Sequence, residues 1–311
     1  MENKVDTRRL SVFLAIAFGI AWLVAGVIYF TGGLKDSPVL APGFTLAFVL
    51  LTFGVMLAPA LANVLTRLFT GEGWRDVKLR HKFRAEVPFW AAAWVLPGVL
   101  TLLGVALFFV VFPGLFDSKL GILAERVQMA GVPLENLNLW TMMLANVLQA
   151  IVIAPLVNGF FTFGEEFGWR GYLLPKLLPL GERKAVLYSG VIWGVWHAPI
   201  IAMGHNYGFG YFGAPVTGIL MMIVFCVALG TFLSWATLRA GSVWPAVIGH
   251  GAINGIAAIG VLMLAGEPNP LLGPAPTGII VMVPWLVLAG FLYSRLKGQP
   301  VVAREELPGL G

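Results

Sequence analysis

Charge is scarce in this chain. Asp, Glu, Lys and Arg make up 11% of its 311 residues, whereas 59% are hydrophobic. A soluble globular domain carries about 25% charged residues, so a water-soluble enzyme is excluded and an integral membrane protein is expected. Cysteine is nearly absent as well: Cys226 is the only one. That excludes an intrachain disulfide framework, and its position inside an apolar run reads as a small packing residue. No aspartate falls inside a hydrophobic run, which removes an intramembrane aspartyl dyad. The net charge of +5 does not make nucleic acid a partner, because the positive residues are confined to certain loops. The lipid bilayer is the expected surrounding.

What the chain has in abundance is long apolar runs. They lie near 10–30, 43–69, 87–113, 139–163, 185–204, 215–238, 242–264 and 277–294, and a helix crossing a bilayer needs roughly 17–25 such residues. The expectation is an all-α, polytopic bundle of about eight transmembrane helices, forming one integral-membrane domain over 1–311. Pro199 and Pro245 interrupt the fifth and seventh runs; proline is tolerated where neighbours satisfy the freed carbonyls. The first run follows Arg8-Arg9 but is longer than the roughly 7–15 residues of a signal-peptide core, so it reads as a retained span.

Basic residues set the expected orientation. Of 20 Lys and Arg residues, only Lys35, Lys119 and Arg126 fall in one set of alternate loops, against 17 in the other set. Basic loops stay in the cytoplasm, so both termini are expected there, in a multi-pass protein of a bacterial-type cell membrane. Residues 70–86, with Arg75, Arg80, His81 and Lys82, form a basic connector expected at the anionic membrane surface. A short helix is expected around Leu120–Met129, and a loosely ordered tail after Arg295.

Three charges sit together in Glu165-Glu166-Phe167-Gly168-Trp169-Arg170, and His197 and His250 lie deep in later apolar runs. An ionisable group at the centre of a membrane helix costs roughly 2.5–3.5 kcal/mol on insertion scales, so such groups mark function. Glu166 and Arg170 are four apart and can pair on one helix face, whereas Glu165 is turned about 100° away. Trp193 and His197, and again His250 and Asn254, share the four-residue relation. The expected topology brings the three segments to overlapping depths from the cytoplasmic side. A carboxylate, two imidazoles and a carboxamide can together deprotonate water and donate hydrogen bonds to an oxyanion.

Glu165-Glu166-x-x-x-Arg170, continued through Gly171-Tyr172-Leu173, then Trp193-x-x-x-His197, then His250-x-x-x-Asn254 resemble the three ordered motifs of the CPBP intramembrane proteases. That family includes Rce1-related CAAX prenyl endopeptidases and bacterial Abi proteins. The resemblance covers roughly 140–262, the expected catalytic core, and departs from the family at Trp193, where phenylalanine is common. It implies a peptidase in which Glu165 activates water with His250, while His197 and Asn254 form the oxyanion site. Glu166, which can share in the chemistry, and Arg170 would support the geometry. The resemblance puts metal-independent chemistry ahead of a zinc enzyme. Zinc needs at least three ligands, and Glu165, His197 and His250 are the set that would supply them. The expected substrate is a membrane-associated protein or peptide.

Plainer readings exist for each residue. Glu165, Glu166 and Arg170 can be a solvated helix end; His197, His250 and Asn254 can be interhelical hydrogen bonds worth about 0.6 kcal/mol each. Their co-occurrence favours function. His205 is read as an outward loop residue on the wrong side for the site, and Asn146, Gln149 and Asn158 as interhelical partners. Tyr188-Ser189-Gly190 lacks the Gly-x-Ser-Gly of a rhomboid-type site, and the end of the sequence, Leu310-Gly311, carries no CAAX box. Two other functions fit the composition: a non-catalytic bacteriocin-immunity or scaffold protein of the same fold, and a proton-coupled carrier. The carrier requires a polar route from both sides.

Overall fold

In lipid a backbone group finds no partner except within its own helix or a neighbouring one, so the apolar runs fold as helices. The computed structural model describes residues 4–74, 76–79 and 83–298. In chain order the elements are α1 (Thr7–Phe30), a hairpin of β1 (Val39–Ala41) and β2 (Phe44–Thr45), and α2 (Leu46–Thr70, widened to a π turn over Leu51–Val55). Next come α3 (Phe83–Val111), the short α4 (Gly121–Met129), α5 (Leu139–Val152) and α6 (Ala154–Leu180). The chain closes with α7 (Glu182–Trp196), the one-turn α8 (Ala198–Ala202), α9 (Val216–Ala240), α10 (Trp244–Met263) and α11 (Ile279–Ser294). The short helix expected near Leu120 is α4.

Among the described residues five helices are long and apolar enough to cross a bilayer, or six if α5 and α6 count as one bent span. The expected eight is not reached, for two local reasons. The fifth run stops early: α7 ends at Trp196 after 15 residues, because Pro199 cannot extend the ladder. The eighth run yields α11, only 16 residues long.

The fourth run bends by 47° between α5 and α6. Pro155, in the first turn of α6, has no N–H for the Ile151 carbonyl. That carbonyl instead accepts from Trp94 Nε1 on α3 at 2.7 Å. Outside the bundle, Leu23, Phe30, Phe160 and Phe212 are 74%, 85%, 75% and 92% exposed. Apolar surface on that scale needs a lipid partner, and the protein is an all-α, multi-pass bundle of the membrane.

Two close approaches position the polar residues. α10 packs most extensively on α6 and α3, and α9 on α7. A Cβ on Gly251 would stand 2.6 Å from the Pro155 carbonyl oxygen and 2.8 Å from the Gly159 nitrogen. The backbones of α10 and α6 therefore touch beside His250. A Cβ on Gly194 would stand 2.5 Å from the Ile223 Cα, which presses α7 against α9 one turn before His197.

The end of the bundle that carries most of the basic residues is stitched by ion pairs. Arg67, only 1% exposed, bonds Asn63 Oδ1 and Asp76 Oδ1, each at 2.7 Å, and the Gly73 carbonyl. Asn63 Nδ2 donates to the Phe167 carbonyl at 2.9 Å. Glu72 accepts from the Tyr172 hydroxyl at 2.9 Å and from Lys176. Burial alone would raise the Asp76 carboxyl, but the hydrogen bond and charge of Arg67 outweigh it and hold the group below the usual carboxylate range. Arg239 reaches Glu182 through both terminal nitrogens, at 3.2 and 3.1 Å. Of the expected surface connector, Arg75, Arg80, His81 and Lys82 lie outside the described residues, as does the tail from 299.

Candidate active site

Consecutive helical residues point about 100° apart, and Glu165 and Glu166 meet different surroundings. Glu166 is fully buried. Its Oε1 accepts from Arg170 Nη1 at 3.0 Å, the four-residue pair expected from spacing, and lies 2.8 Å from His250 Nδ1. An oxygen that already serves as acceptor for a guanidinium requires the ring nitrogen to donate. A neutral His250 then keeps a lone pair at Nε2.

Glu165, 4% exposed, accepts at Oε2 from the Trp193 indole Nε1 at 2.7 Å. The same indole carries the Arg170 guanidinium over its ring at 4.4 Å and meets the edge of His250 at 5.2 Å. Trp193 thus joins both halves of the first motif to the third.

His197 caps α7. Its Nδ1 donates to the Trp193 carbonyl at 2.8 Å, because a carbonyl can only accept. In the neutral ring, Nε2 again offers a lone pair rather than a donor. That qualifies the oxyanion role expected for this residue: His197 can donate from Nε2 only as an imidazolium. Asn254 carries amide N–H groups and has no such restriction.

Glu165, Trp193, His197, His250 and Asn254 line one cavity of about 200 Å³. Glu166 and Arg170 stand behind it, holding His250 and Trp193. Arg170 belongs to the buried interior, not to a loop, and so drops out of the basic-loop count that set the orientation.

The cavity also contains residues that sequence reasoning set aside. His205 and Asn206, from the loop after α8, line it together with Cys226 of α9 and Thr277. The assignment of His205 to the wrong side is corrected. Its backbone N–H returns to the Ile200 carbonyl at 3.0 Å, and the Tyr207 hydroxyl donates to the Thr277 carbonyl at 3.2 Å, folding two loops over the cavity. Burial holds the His205 imidazole below its ordinary value. Cys226 is buried, with Sγ 3.9 Å from His197 Nδ1, so it packs and lines the cavity at once. No periodicity links a loop residue to a helical site, and the sequence carried no signal for His205.

Asn158 Nδ2 donates across helices to the Gly251 carbonyl at 3.1 Å, as expected. Asn146 instead returns to the Met142 carbonyl of its own helix at 3.0 Å. Among the described residues no three His, Cys, Asp or Glu side chains form a group that could hold a metal ion. Glu165, His197 and His250 share the cavity without converging as zinc ligands.

Two comparisons bear on this segment. Residues 135–256 match the family described as type II CAAX prenyl endopeptidase Rce1-like. The CAAX prenyl protease 2 of Methanococcus maripaludis is 30% identical over 92 residues, 29% of this chain and 34% of that protein. The chain thus spans about a third of the length of the curated relative it matches. The family match covers the stretch that holds the paired glutamates and much of the cavity they adjoin, and over residues 135–256 the chain carries an Rce1-like CAAX-protease domain.

Proposed function

We propose that the protein is an intramembrane endopeptidase that hydrolyses a peptide bond of a membrane-associated protein or peptide. One observation carries the reading: Glu165 and His250 line the same cavity, each held at one polar atom by a partner that leaves its second acceptor unengaged. Trp193 occupies Oε2 of Glu165, so Oε1 is available to water. Glu166 takes the Nδ1 proton of His250, so Nε2 is available as well.

Water held by these two acceptors attacks the scissile carbonyl carbon. Its proton passes to the Glu165 carboxylate as the carbon–oxygen bond forms. The Asn254 amide donates to the developing oxyanion, and His197 joins it when protonated. Collapse of the tetrahedral intermediate breaks the carbon–nitrogen bond, and Glu165 returns the proton to the leaving amine. Arg170 balances the charge of Glu166 and never meets substrate. No step is routed through a metal. The basic-loop distribution supports cytoplasmic termini in this reading.

The experiment compares membrane proteomes of cells carrying the wild type, Glu165→Gln or His250→Ala, and assays the purified variants on any protein that accumulates. Both substitutions are expected to abolish cleavage while leaving the fold intact. Turnover retained by either folded variant removes the mechanism. A carrier is disfavoured by the packing, since Glu166, Trp169, Arg170 and Tyr172 are each 0% exposed and interrupt a polar route.

A further inference from the structure

The cavity is rich in acceptors and short of donors. Glu165 Oε1 and the Nε2 atoms of neutral His197 and His250 each present a lone pair, because Trp193 Nε1, the Trp193 carbonyl and Glu166 occupy their other polar atoms. Such acceptors can hold and activate water, but a developing oxyanion needs donors. The side chains of the wall offer few. Trp196 Nε1 is spent on the Ala17 carbonyl at 3.3 Å. Thr277 lines the cavity, but its Oγ1 is shielded from it. Cys226 has only a weak S–H donor. Besides the Asn254 amide, what remains is the turn that brings His205 and Asn206 into the wall.

That turn is tightly fixed. The His205 N–H donates to the Ile200 carbonyl at 3.0 Å, the His205 carbonyl accepts from Tyr207 at 2.8 Å, and the Gly208 N–H closes on the Gly204 carbonyl at 2.9 Å. Asn206, inside the turn, takes a φ of +64°, a left-handed conformation uncommon outside glycine and held where the surroundings impose it. Tyr207 is buried and pins the turn to the Thr277 carbonyl. The backbone is engaged, whereas the His205 ring makes no hydrogen bond among the described residues. It lies close enough to the His197 ring for their charges to interact. A neutral imidazole carries one N–H and one lone pair, so in either tautomer one donor is uncommitted.

We propose that His205 is a further catalytic residue, whose ring N–H donates to the scissile carbonyl oxygen beside Asn254 and holds it more tightly as negative charge develops there. This rests on the protease reading. It supplies the second donor that His197 gives only as an imidazolium. No proton leaves the His205 ring, and the transfers through Glu165 are unchanged. A neutral imidazole can polarise a carbonyl in this way, and burial keeps this one neutral at neutral pH.

The test uses the purified full-length protein and a quenched fluorogenic peptide spanning the bond found cleaved in the proteome comparison. His205→Ala and His205→Leu both lack the donor, and the second serves should the first fail to fold. Each is expected to lose about 10²–10³-fold in kcat, the usual cost of one oxyanion donor. KM should stay within about threefold, because the contact strengthens only in the transition state. The unfolding temperature should not move, since the ring bonds nothing in the free protein. His205→Gln returns an amide N–H and is expected to recover at least about tenfold over His205→Ala. An unchanged kcat in a folded donor-free variant overturns the proposal, as does a loss confined to KM or a His205→Gln no better than His205→Ala. Loss in Asn206→Gly without loss in the His205 variants assigns the donor to the neighbouring amide and overturns it too. Wild-type cleavage indifferent to His205 removes this proposal alone, whereas a wild type that cleaves nothing removes the protease reading and this proposal with it.

Discussion

The indole N–H of Trp193 points at Oε2 of Glu165 across 2.7 Å, while the face of the same ring carries Arg170. A phenylalanine, common here in the resembled family, would keep the ring and lose the donor. Hydrogen bonds to charged groups contribute about 1.5–3 kcal/mol, and each 1.4 kcal/mol is roughly tenfold in rate. Trp193→Phe is therefore expected to lower kcat by roughly tenfold to a hundredfold with KM and unfolding temperature little changed. Steady-state kinetics on the purified protein check the split, and an unaltered kcat would show that the indole N–H does not orient the base.

Glu165 and Glu166 should separate function from stability. Glu165→Gln keeps the Trp193 contact and removes only the proton acceptor, so activity is lost and thermal unfolding stays near wild type. Glu166→Ala leaves Arg170 buried without its carboxylate, a change that costs about 3–5 kcal/mol, and frees His250 to turn. Activity and unfolding temperature should fall together, and a Glu166→Ala variant as stable as wild type would contradict the buried pair.

Gly251→Ala places a methyl group against the Pro155 carbonyl and the Gly159 nitrogen. Backbone atoms cannot step aside as a flexible side chain does. Overpacking typically costs about 1–3 kcal/mol, and here it moves the turn bearing His250 as well. Reduced unfolding temperature in detergent and reduced activity are both expected. Gly290, with open space around its Cβ position, is the control, and Gly290→Ala should be silent in both measurements.

Asp117 gives a pH dependence outside the membrane. The backbone N–H of Gly121, at 2.6 Å, and that of Lys119, at 2.8 Å, hold its carboxyl below the ordinary 3.8. A depressed carboxyl stabilises the fold at pH above its unfolded value, and that contribution disappears as pH falls through the lower folded value. Amides at the start of α4 should exchange faster in Asp117→Asn than in wild type at pH 6, with the difference gone well below pH 3.8. A difference persisting in strong acid would rule out the carboxylate as its source.

Chelators supply a further check. Because Glu165, His197 and His250 do not converge as ligands, prolonged dialysis against EDTA or 1,10-phenanthroline is expected to leave turnover within twofold of the untreated enzyme. Loss of turnover restored by added zinc would reject the metal-free route.

Much of the bundle was legible because hydropathy reads directly as helix in a lipid solvent. The pairing of Glu166 with Arg170 followed from helical spacing, and Glu165 turned away from Glu166 as 3.6 residues per turn require. Span lengths were less legible. Pro199 lies inside an apolar run that hydropathy alone carries through, yet the helix ends three residues earlier, with the cavity residue His197 as its cap. The partner of His250 was also hidden: spacing could not tell which of two adjacent glutamates faces a third helix. His205 and Cys226 reach the cavity through a loop reversal and a crossing helix, relations that exist only after packing.

The wide turn over Trp169–Leu173 follows directly on the paired glutamates. Such a turn holds one residue more than its α-helical counterpart. Winding those five residues at ordinary α-helical pitch, with none removed, would spin everything downstream, Leu174 to Leu180, by about 100°. Lys176 would swing off Glu72, and the seal on the basic end would open while every motif residue stayed in the sequence. A chain can therefore keep all three signatures and still lose the architecture that gives them a shared chamber.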